Sequence, residues 1–364
     1  MNKNNYCVIM AGGVGSRFWP MSKTQRPKQF IDILGTGRTL IQQTFDRFKP
    51  ICPSDNVFVV TNDIYYDIVK EQLPEINPKH ILTEPLRRNT APCIAYANQK
   101  IMLENNNANI IVAPADHLII KEEEFHRVIN NGLEFTKSND VLLTLGIKPS
   151  RPDTGYGYIQ INNEDEVDFE NKNLKKVKTF TEKPNKEMAE FFMKSGEFFW
   201  NSGIFIWSLN SINNAFSKHL NDVQLLFNEG VGTYNTDNEI DFIKNTYSKC
   251  QNISIDYGVM EKADNVYVLK ADFGWSDLGT WGALYENRVK NNDNNVLSSE
   301  NILTYDTSNC IIELPKNKLA VVQGLDDYII VEYDGTLLIC KKTDEQMIKQ
   351  FVTDVQSLKG DDYI

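Results

Sequence analysis

Residues 1–150 alternate between short apolar runs and helical patterns, and no other property of the chain narrows its fold so far. The runs are Tyr6–Met10, Asn56–Thr61, His80–Thr83, Asn109–Pro114 and Val141–Gly146. Between them, the spacing of apolar residues predicts helices over Leu40–Phe48, Asp63–Leu73, Pro92–Glu104 and Glu122–Lys137. Thr39 can cap the first helix, and Thr90, with Pro92 just inside, the third. Strands alternating with helices build a mainly parallel sheet covered on both faces. Ligands of such sheets bind beyond the carboxyl ends of the strands. Chemistry is therefore expected in the residues that follow each run.

The first run breaks at once into Ala11-Gly12-Gly13-Val14-Gly15-Ser16-Arg17. Gly12, Gly13 and Gly15 let backbone N–H groups turn toward an anion without Cβ clashes. Arg17 adds a fixed positive fork, and Lys28 follows in Pro27-Lys28-Gln29. Such a loop suits a triphosphate, although a simple turn uses the same residues. It is not a P-loop, because no Gly-Lys-Ser/Thr follows. It is not a dinucleotide fingerprint either, because a pattern begun at Gly13 and Gly15 meets Phe18 where the third glycine belongs. The whole string, GG-x-G-x-R-x-x-P…PKQF after a first strand, resembles the signature of the sugar-nucleotide pyrophosphorylases. With its Trp19-Pro20 pair and its ending at Phe30, it is most similar to the mannose-1-phosphate guanylyltransferases.

The bulk properties bound the size and class of the chain. The 364 residues suggest one large domain and a smaller one, and 41% hydrophobic residues suffice for a core. A net charge of −11 argues against nucleic acid as a partner, which would need a basic face. No apolar run approaches the ~20 residues of a membrane span. The apolar segment at the N-terminus is too short for a signal peptide, so a cytoplasmic location is expected. The cysteines at 7, 52, 93, 250, 310 and 340 form no CxxC pair and complete no zinc pattern, so reduced, buried thiols are expected.

Two further motifs end predicted strands. In Thr83-Glu84-Pro85-Leu86-Arg87-Arg88-Asn89-Thr90-Ala91, Glu84 can accept both donors that guanine presents on one edge, N1–H and the exocyclic amine. Uracil or thymine would offer it one donor beside repelling carbonyls. The motif resembles the family's guanine-binding loop, which implies nucleotide contacts for Glu84, Pro85, Arg88, Asn89, Thr90 and Ala91. In Val112-Ala113-Pro114-Ala115-Asp116-His117, Asp116 follows a buried strand, where a carboxylate is costly without charged partners. Magnesium, held by one or two carboxylates and substrate phosphates, fits there. A helix cap is the alternative, but the next predicted helix starts several residues later. His117 reads as a packing residue, since nucleotidyl transfer needs no imidazole.

From residue 151 the character changes. Arg151–Tyr158 is turn-rich, and its Gly157 suggests close approach to a ligand or a simple hairpin bend. An exposed acidic loop is expected over Asn162–Asn173. The strand Val177–Thr181 ends in Glu182-Lys183-Pro184, where a carboxylate could take sugar hydroxyls and an ammonium a phosphate. This resembles the family's sugar-phosphate loop. The aromatic run Phe198–Trp207 encloses Asn201-Ser202-Gly203, which resembles the sugar-binding segment; Asn201 can both donate and accept. Phe216–Cys250 reads as helical and polar, with no visible function. Ser254-Ile255-Asp256-Tyr257-Gly258-Val259-Met260-Glu261 resembles a further family motif, with Gly258 where alanine is usual. By that resemblance Asp256 and Glu261 line the sugar pocket. Trp275-Ser276-Asp277-Leu278-Gly279-Thr280-Trp281 resembles the segment that carries the family's second metal-binding aspartate, Asp277 here; a cap for the predicted helix Thr280–Asn287 is the alternative.

Residues 291–364 carry β-rich runs at a spacing of roughly nine residues, then an amphipathic closing helix at Glu345–Leu358. The expected architecture is an α/β, Rossmann-like nucleotidyltransferase domain with a mainly parallel mixed sheet over 1–290. A small β-rich, short β-helix-like domain over 291–364 completes it, for packing and dimer formation. Longer members of the family carry a further cupin isomerase domain, which this chain is too short to hold, so no isomerase activity is expected.

The resemblance implies GMP transfer from GTP to mannose 1-phosphate with Mg2+ on Asp116 and Asp277. Catalysis would rest on Arg17, Lys28, Asp116 and Asp277. Ala11, Gly12, Gly13, Gly15 and Ser16 would contact the nucleotide; Gly157, Glu182, Lys183, Asn201, Ser202, Gly203 and Asp256 would contact the sugar phosphate. Three alternatives stand beside this reading. They are the same chemistry on another nucleotide and sugar pair, a non-catalytic GDP-mannose-binding subunit, and a dinucleotide-dependent oxidoreductase. A homodimer is the default assembly.

Overall fold

The computed structural model describes residues 2–162 and 173–364. Of the expected acidic loop, the stretch 163–172 lies outside the described residues. Packing gathers the chain into two compact units: Met1–Gly12, Thr44–Ala115 and Ile119–Trp275 form the first, and Gly13–Gln43, Asp116–Leu118 and Ser276–Ile364 the second. This cuts the chain elsewhere than the expected division into 1–290 and 291–364.

The first unit is built on a sheet whose nine strands, among the described residues, are β1 Asn5–Met10, β2 Val57–Asn62, β3 Ile81–Glu84, β4 Asn109–Pro114, β5 Leu142–Ile147, β6 Gly157–Ile161, β7 Leu174–Glu182, β8 Phe198–Ser208 and β9 Val266–Ala271. Their order is β3-β2-β1-β4-β8-β5-β9-β7-β6, with β8 also pairing β6. Only β7 and β8 run against the others. The mixed, mainly parallel sheet thus follows from inserting two reversed strands into a parallel framework. The parallel strands are apolar on both faces because helices cover both. Tyr6, Val8, Ile110 and Val112 pack into one core with Phe205, Trp207 and the helix Thr90–Glu104. On the helix Glu122–Ser138, a Cβ at Gly132 would collide with Ile206 and Leu143, so that helix packs closely on β8 and β5. No helix among the described residues is long and apolar enough to cross a membrane.

The connections after β1 and β4 diverge, since β1 leads to β2 and β3 on one side and β4 lies on the other. Such a reversal point opens a crevice at the carboxyl ends of its strands. Met10 is in register with Pro114, and Ala115 N–H donates to the Met10 carbonyl at 2.9 Å. The glycine loop and Asp116 leave the sheet from these neighbouring ends.

In the second unit, parallel pairs join strands lying 18 residues apart: Ile311 pairs with Ile329, and Ile302 with Ala320. The nine-residue spacing therefore represents half a coil of a short β-helix. The Asp334-Gly335 turn, with both residues at positive φ, then reverses Tyr328–Tyr333 into the antiparallel Thr336–Lys341. The helix Ile348–Lys359 closes the unit. Ile311, Ile329, Val331 and Ile348 share a core with Phe18, Trp19, Trp281 and Leu284.

Candidate active site

The glycine loop is held from behind. Gln29 Nε2 donates to the Gly13 carbonyl and Ser22 Oγ to the Val14 carbonyl, both at 2.8 Å. In a trans peptide the C=O and the next N–H point opposite ways. The N–H groups of Val14 and Gly15 are therefore turned away from these anchors, as an anion cradle requires. Gly15 sits at φ +66°, and a Cβ there would stand 2.7 Å from Lys28 Cβ. Ser16–Phe18 forms a short 3-10 turn. Arg17 is half-buried on this turn, and its Nε donates to Gln346 Oε1 at 3.1 Å.

Lys28 is 3% exposed, and its ammonium bonds three oxygens. It contacts Asp116 Oδ2 at 2.8 Å, the Asp277 carbonyl at 2.8 Å and the Leu278 carbonyl at 3.0 Å. The two predicted metal-binding aspartates are thus brought to one cation. Burial pushes the Asp116 carboxyl up, but Lys28 and His117 outweigh it and hold it below the usual range. Asp277 Oδ1 accepts from Gly279 N–H at 2.9 Å, and a Cβ at Gly279 would approach Asp277 Oδ2 to 2.5 Å. Among the described residues no group of three or more His, Cys, Asp or Glu forms a metal cluster. Carboxylates are ligands that magnesium takes, and here Asp116 Oδ2 also faces the Lys28 ammonium.

Glu84 closes β3 and is 7% exposed. Its Oε1 accepts from Tyr247 OH at 2.8 Å, and a Cβ at Gly12 would lie 3.5 Å from its Oε2. Burial pushes the carboxyl up to about 7, against the pull of the Tyr247 hydroxyl. Ala11 is buried; its carbonyl accepts from Thr61 Oγ1. Pro85 is half-buried directly after Glu84. Arg88 Nε donates to the Tyr247 carbonyl at 3.1 Å. The expected cap at Thr90 is displaced by one residue. Asn89, at φ 68°, caps the helix and accepts from Thr90 N–H, while Thr90 Oγ1 accepts from Ile255 N–H at 2.8 Å. The hydroxyl is drawn to the neighbouring segment instead of its own helix. Ala91 is buried and donates its N–H to the Ile253 carbonyl at 3.2 Å.

The expected sugar residues form a second cluster in the first unit. Asn201 sits on β8 where pairing with β5 shifts register between Thr144 and Gly146. Gly203 at φ 70° takes up this irregularity. Asn201 Oδ1 accepts from Thr144 Oγ1 at 2.9 Å and Gly203 N–H at 3.2 Å, so its Nδ2 donates to Asp256 Oδ1 at 2.9 Å. Burial and then the Glu182 charge push the Asp256 carboxyl up to about 7. Glu182 pairs with Lys183, whose backbone is at φ 49°. A Cβ at Gly157 would collide with the Glu182 carboxylate, so the close approach at this glycine is to a protein side chain. Burial pushes the Glu261 carboxyl up, and the Glu182 charge adds to this. Ser202 stands apart from the cluster, fully buried with its Oγ accepting from Ile204 N–H.

Sequence reasoning did not single out Tyr247 or Arg151. The Arg151 guanidinium lies 5.7 and 5.4 Å from the ring centroids of Tyr156 and Trp200, and Tyr156 packs edge-on against both Trp200 and Trp275. The dense aromatics around 151–158 and 198–207 were the available signal for Arg151. Tyr247 had none, lying in a polar helix with no motif around it.

Residues 6–294 match the nucleotidyl transferase family. A mannose-1-phosphate guanylyltransferase of Escherichia coli is 34% identical over 352 residues, covering 95% of this chain and 74% of the relative. Mannose-1-phosphate guanylyltransferase 2 of Escherichia coli O157:H7 is 36% identical over 367 residues, covering 98% and 74%. A crystal structure from Thermus thermophilus, described as a mannose-1-phosphate geranyltransferase, superposes with a TM-score of 0.84 at 26% identity, covering 97% of this chain and 99% of that one.

Proposed function

The chain belongs to the nucleotidyl transferase family, among its mannose-1-phosphate guanylyltransferases, and from that membership we propose that it transfers GMP from GTP to α-D-mannose 1-phosphate. An oxygen of the sugar phosphate attacks the α-phosphorus in line. The new P–O bond forms as the bond to the β-phosphate oxygen breaks, and pyrophosphate leaves with that electron pair. The observation carrying the nucleotide assignment is Glu84, a buried carboxylate beside Gly12 with one oxygen already oriented. It would accept from guanine N1–H and the exocyclic amine.

No covalent intermediate is needed, so catalysis reduces to positioning and charge neutralisation. The Val14 and Gly15 N–H groups would meet the β- and γ-phosphates. Arg17 would offset charge on the leaving pyrophosphate. Lys28, bonded to protein on three sides, would act by fixing Asp116 and the Asp277 backbone. Asp116 and Asp277 would hold Mg2+, which when bound supplies neutralisation of phosphate charge. Lys183 would take the sugar phosphate, with Glu182, Asn201 and Asp256 on the hydroxyls. A homodimer belongs to the same reading, supported by exposed apolar side chains on the C-terminal strands, among them Tyr305, Val321, Leu337 and Ile339.

Pyrophosphate release, measured with magnesium, tests the reading across GTP, ATP, UTP and dTTP against mannose, glucose, galactose and fucose 1-phosphates. One strong combination is expected, GTP with mannose 1-phosphate. A maximum at another nucleotide removes the Glu84 assignment; a maximum at another sugar removes the sugar assignment. No release from folded protein removes the catalytic reading.

A further inference from the structure

We propose that Tyr247 is a specificity-determining positioning residue for the base: its hydroxyl holds Glu84 by one carboxylate oxygen and keeps the remaining lone pairs turned for guanine. This rests on the reading of Glu84 given above. The terminal torsion of a glutamate is broad, so an unrestrained carboxylate presents its oxygens over a wide arc. Bidentate recognition requires one orientation. A carboxylate has about four acceptor sites, so one bond to Tyr247 leaves enough for two donors on the base. The Glu84 backbone is fixed as well, because Asn62 Nδ2 donates to its carbonyl at 2.9 Å.

Tyr247 is suited to hold another group still because it is itself immobile. It is fully buried, and its ring stands at 87° to Phe227 with centroids 5.7 Å apart. Arg88 bonds its carbonyl, Ile253 N–H bonds the Arg88 carbonyl, and Ile255 N–H bonds Thr90 Oγ1. Segment 247–255 thus anchors both the Glu84 carboxylate and the loop following it. This gives a purpose to the polar helical stretch whose function the sequence left blank. A phenol buried this deeply requires a partner for its O–H, and Glu84 is that partner.

The Tyr247 hydroxyl also favours the ionised carboxylate. Burial and Asp63 oppose it, and Cys93, a buried thiol pushed up by burial, is a further titratable neighbour. Removing the hydroxyl therefore moves the Glu84 carboxyl to higher pH.

The test compares wild type, Tyr247→Phe and Glu84→Gln, using kcat/KM for GTP and for inosine triphosphate, which lacks the 2-amino group, from pH 6 to 9. Tyr247→Met, adaptable in packing but unable to donate, is made in parallel so that a folded variant without the hydroxyl is available. The expected result for both Tyr247 variants is a loss of roughly tenfold in kcat/KM for GTP, mostly in KM, as for one hydrogen bond to a charged group. The preference for GTP over inosine triphosphate narrows, and the acid limb moves to higher pH. A folded Tyr247 variant with wild-type preference and an unmoved acid limb overturns the proposal if Glu84→Gln loses the preference. If Glu84→Gln also keeps it, the base reading itself fails and takes the proposal with it.

Discussion

Lys28 spends all three of its protons on protein oxygens, one of them on Asp116. Lys28→Met would leave that carboxylate without its cation. We expect a loss of about 2 kcal/mol in stability, as for a hydrogen bond to a charged group, and a fall in turnover of roughly 100-fold or more. The folded Asp116 carboxyl lies below its usual range, so its stabilisation is present above its unfolded pKa and disappears as pH falls through the folded one. Melting curves should accordingly separate variant from wild type at pH 7 and converge in acid; a gap that persists in acid would assign the loss to packing. The sequence marked Lys28 as important through its place in a motif. It could not reveal that Lys28 anchors a backbone 249 residues further along, because such a partnership exists only after folding.

Among elements, the glycine loop has one tolerant and one intolerant glycine. A Cβ at Gly13 meets nothing within 4 Å, whereas at Gly15 it meets Lys28 from a backbone already at positive φ. Gly13→Ala should melt close to wild type. Gly15→Ala should melt several degrees lower, for a loss of about 1–3 kcal/mol, with activity falling further because Lys28 is displaced. Equal melting points would show that the loop relaxes around the new methyl group. The strands β1 to β5 were legible because each carries a single apolar run between helical patterns. β8 was read for its aromatic wall and polar centre, not as a strand lying between β4 and β5. Its run is apolar on both faces, and the reversed insertion depends on partners distant in sequence. In the tail the spacing was legible; the parallel pairing of every second run became visible only in three dimensions.

For the whole molecule, the two carboxyls held near 7, buried Glu84 and half-buried Asp256, set a direction for pH dependence. Each binds its proton more tightly folded than unfolded. Their stabilisation is complete below the unfolded carboxyl pKa of about 4 and is lost as pH rises through about 7. Glu84→Gln should therefore flatten the decline in melting temperature between pH 5 and 8, and an unchanged slope would assign the decline to other groups.

The units of this molecule are also interleaved in time. During synthesis, the glycine loop emerges directly after β1. Gln29 and Ser22, which hold its carbonyls, follow at once, but the partners of the turn after it, Gln346 beside Arg17 and the Tyr363 carbonyl beside the Trp19 indole, emerge near residue 364. At about 5–20 residues per second, Arg17 and Trp19 wait tens of seconds for these partners. A chain interrupted earlier can complete most of its sheet and still leave Arg17 without its tether.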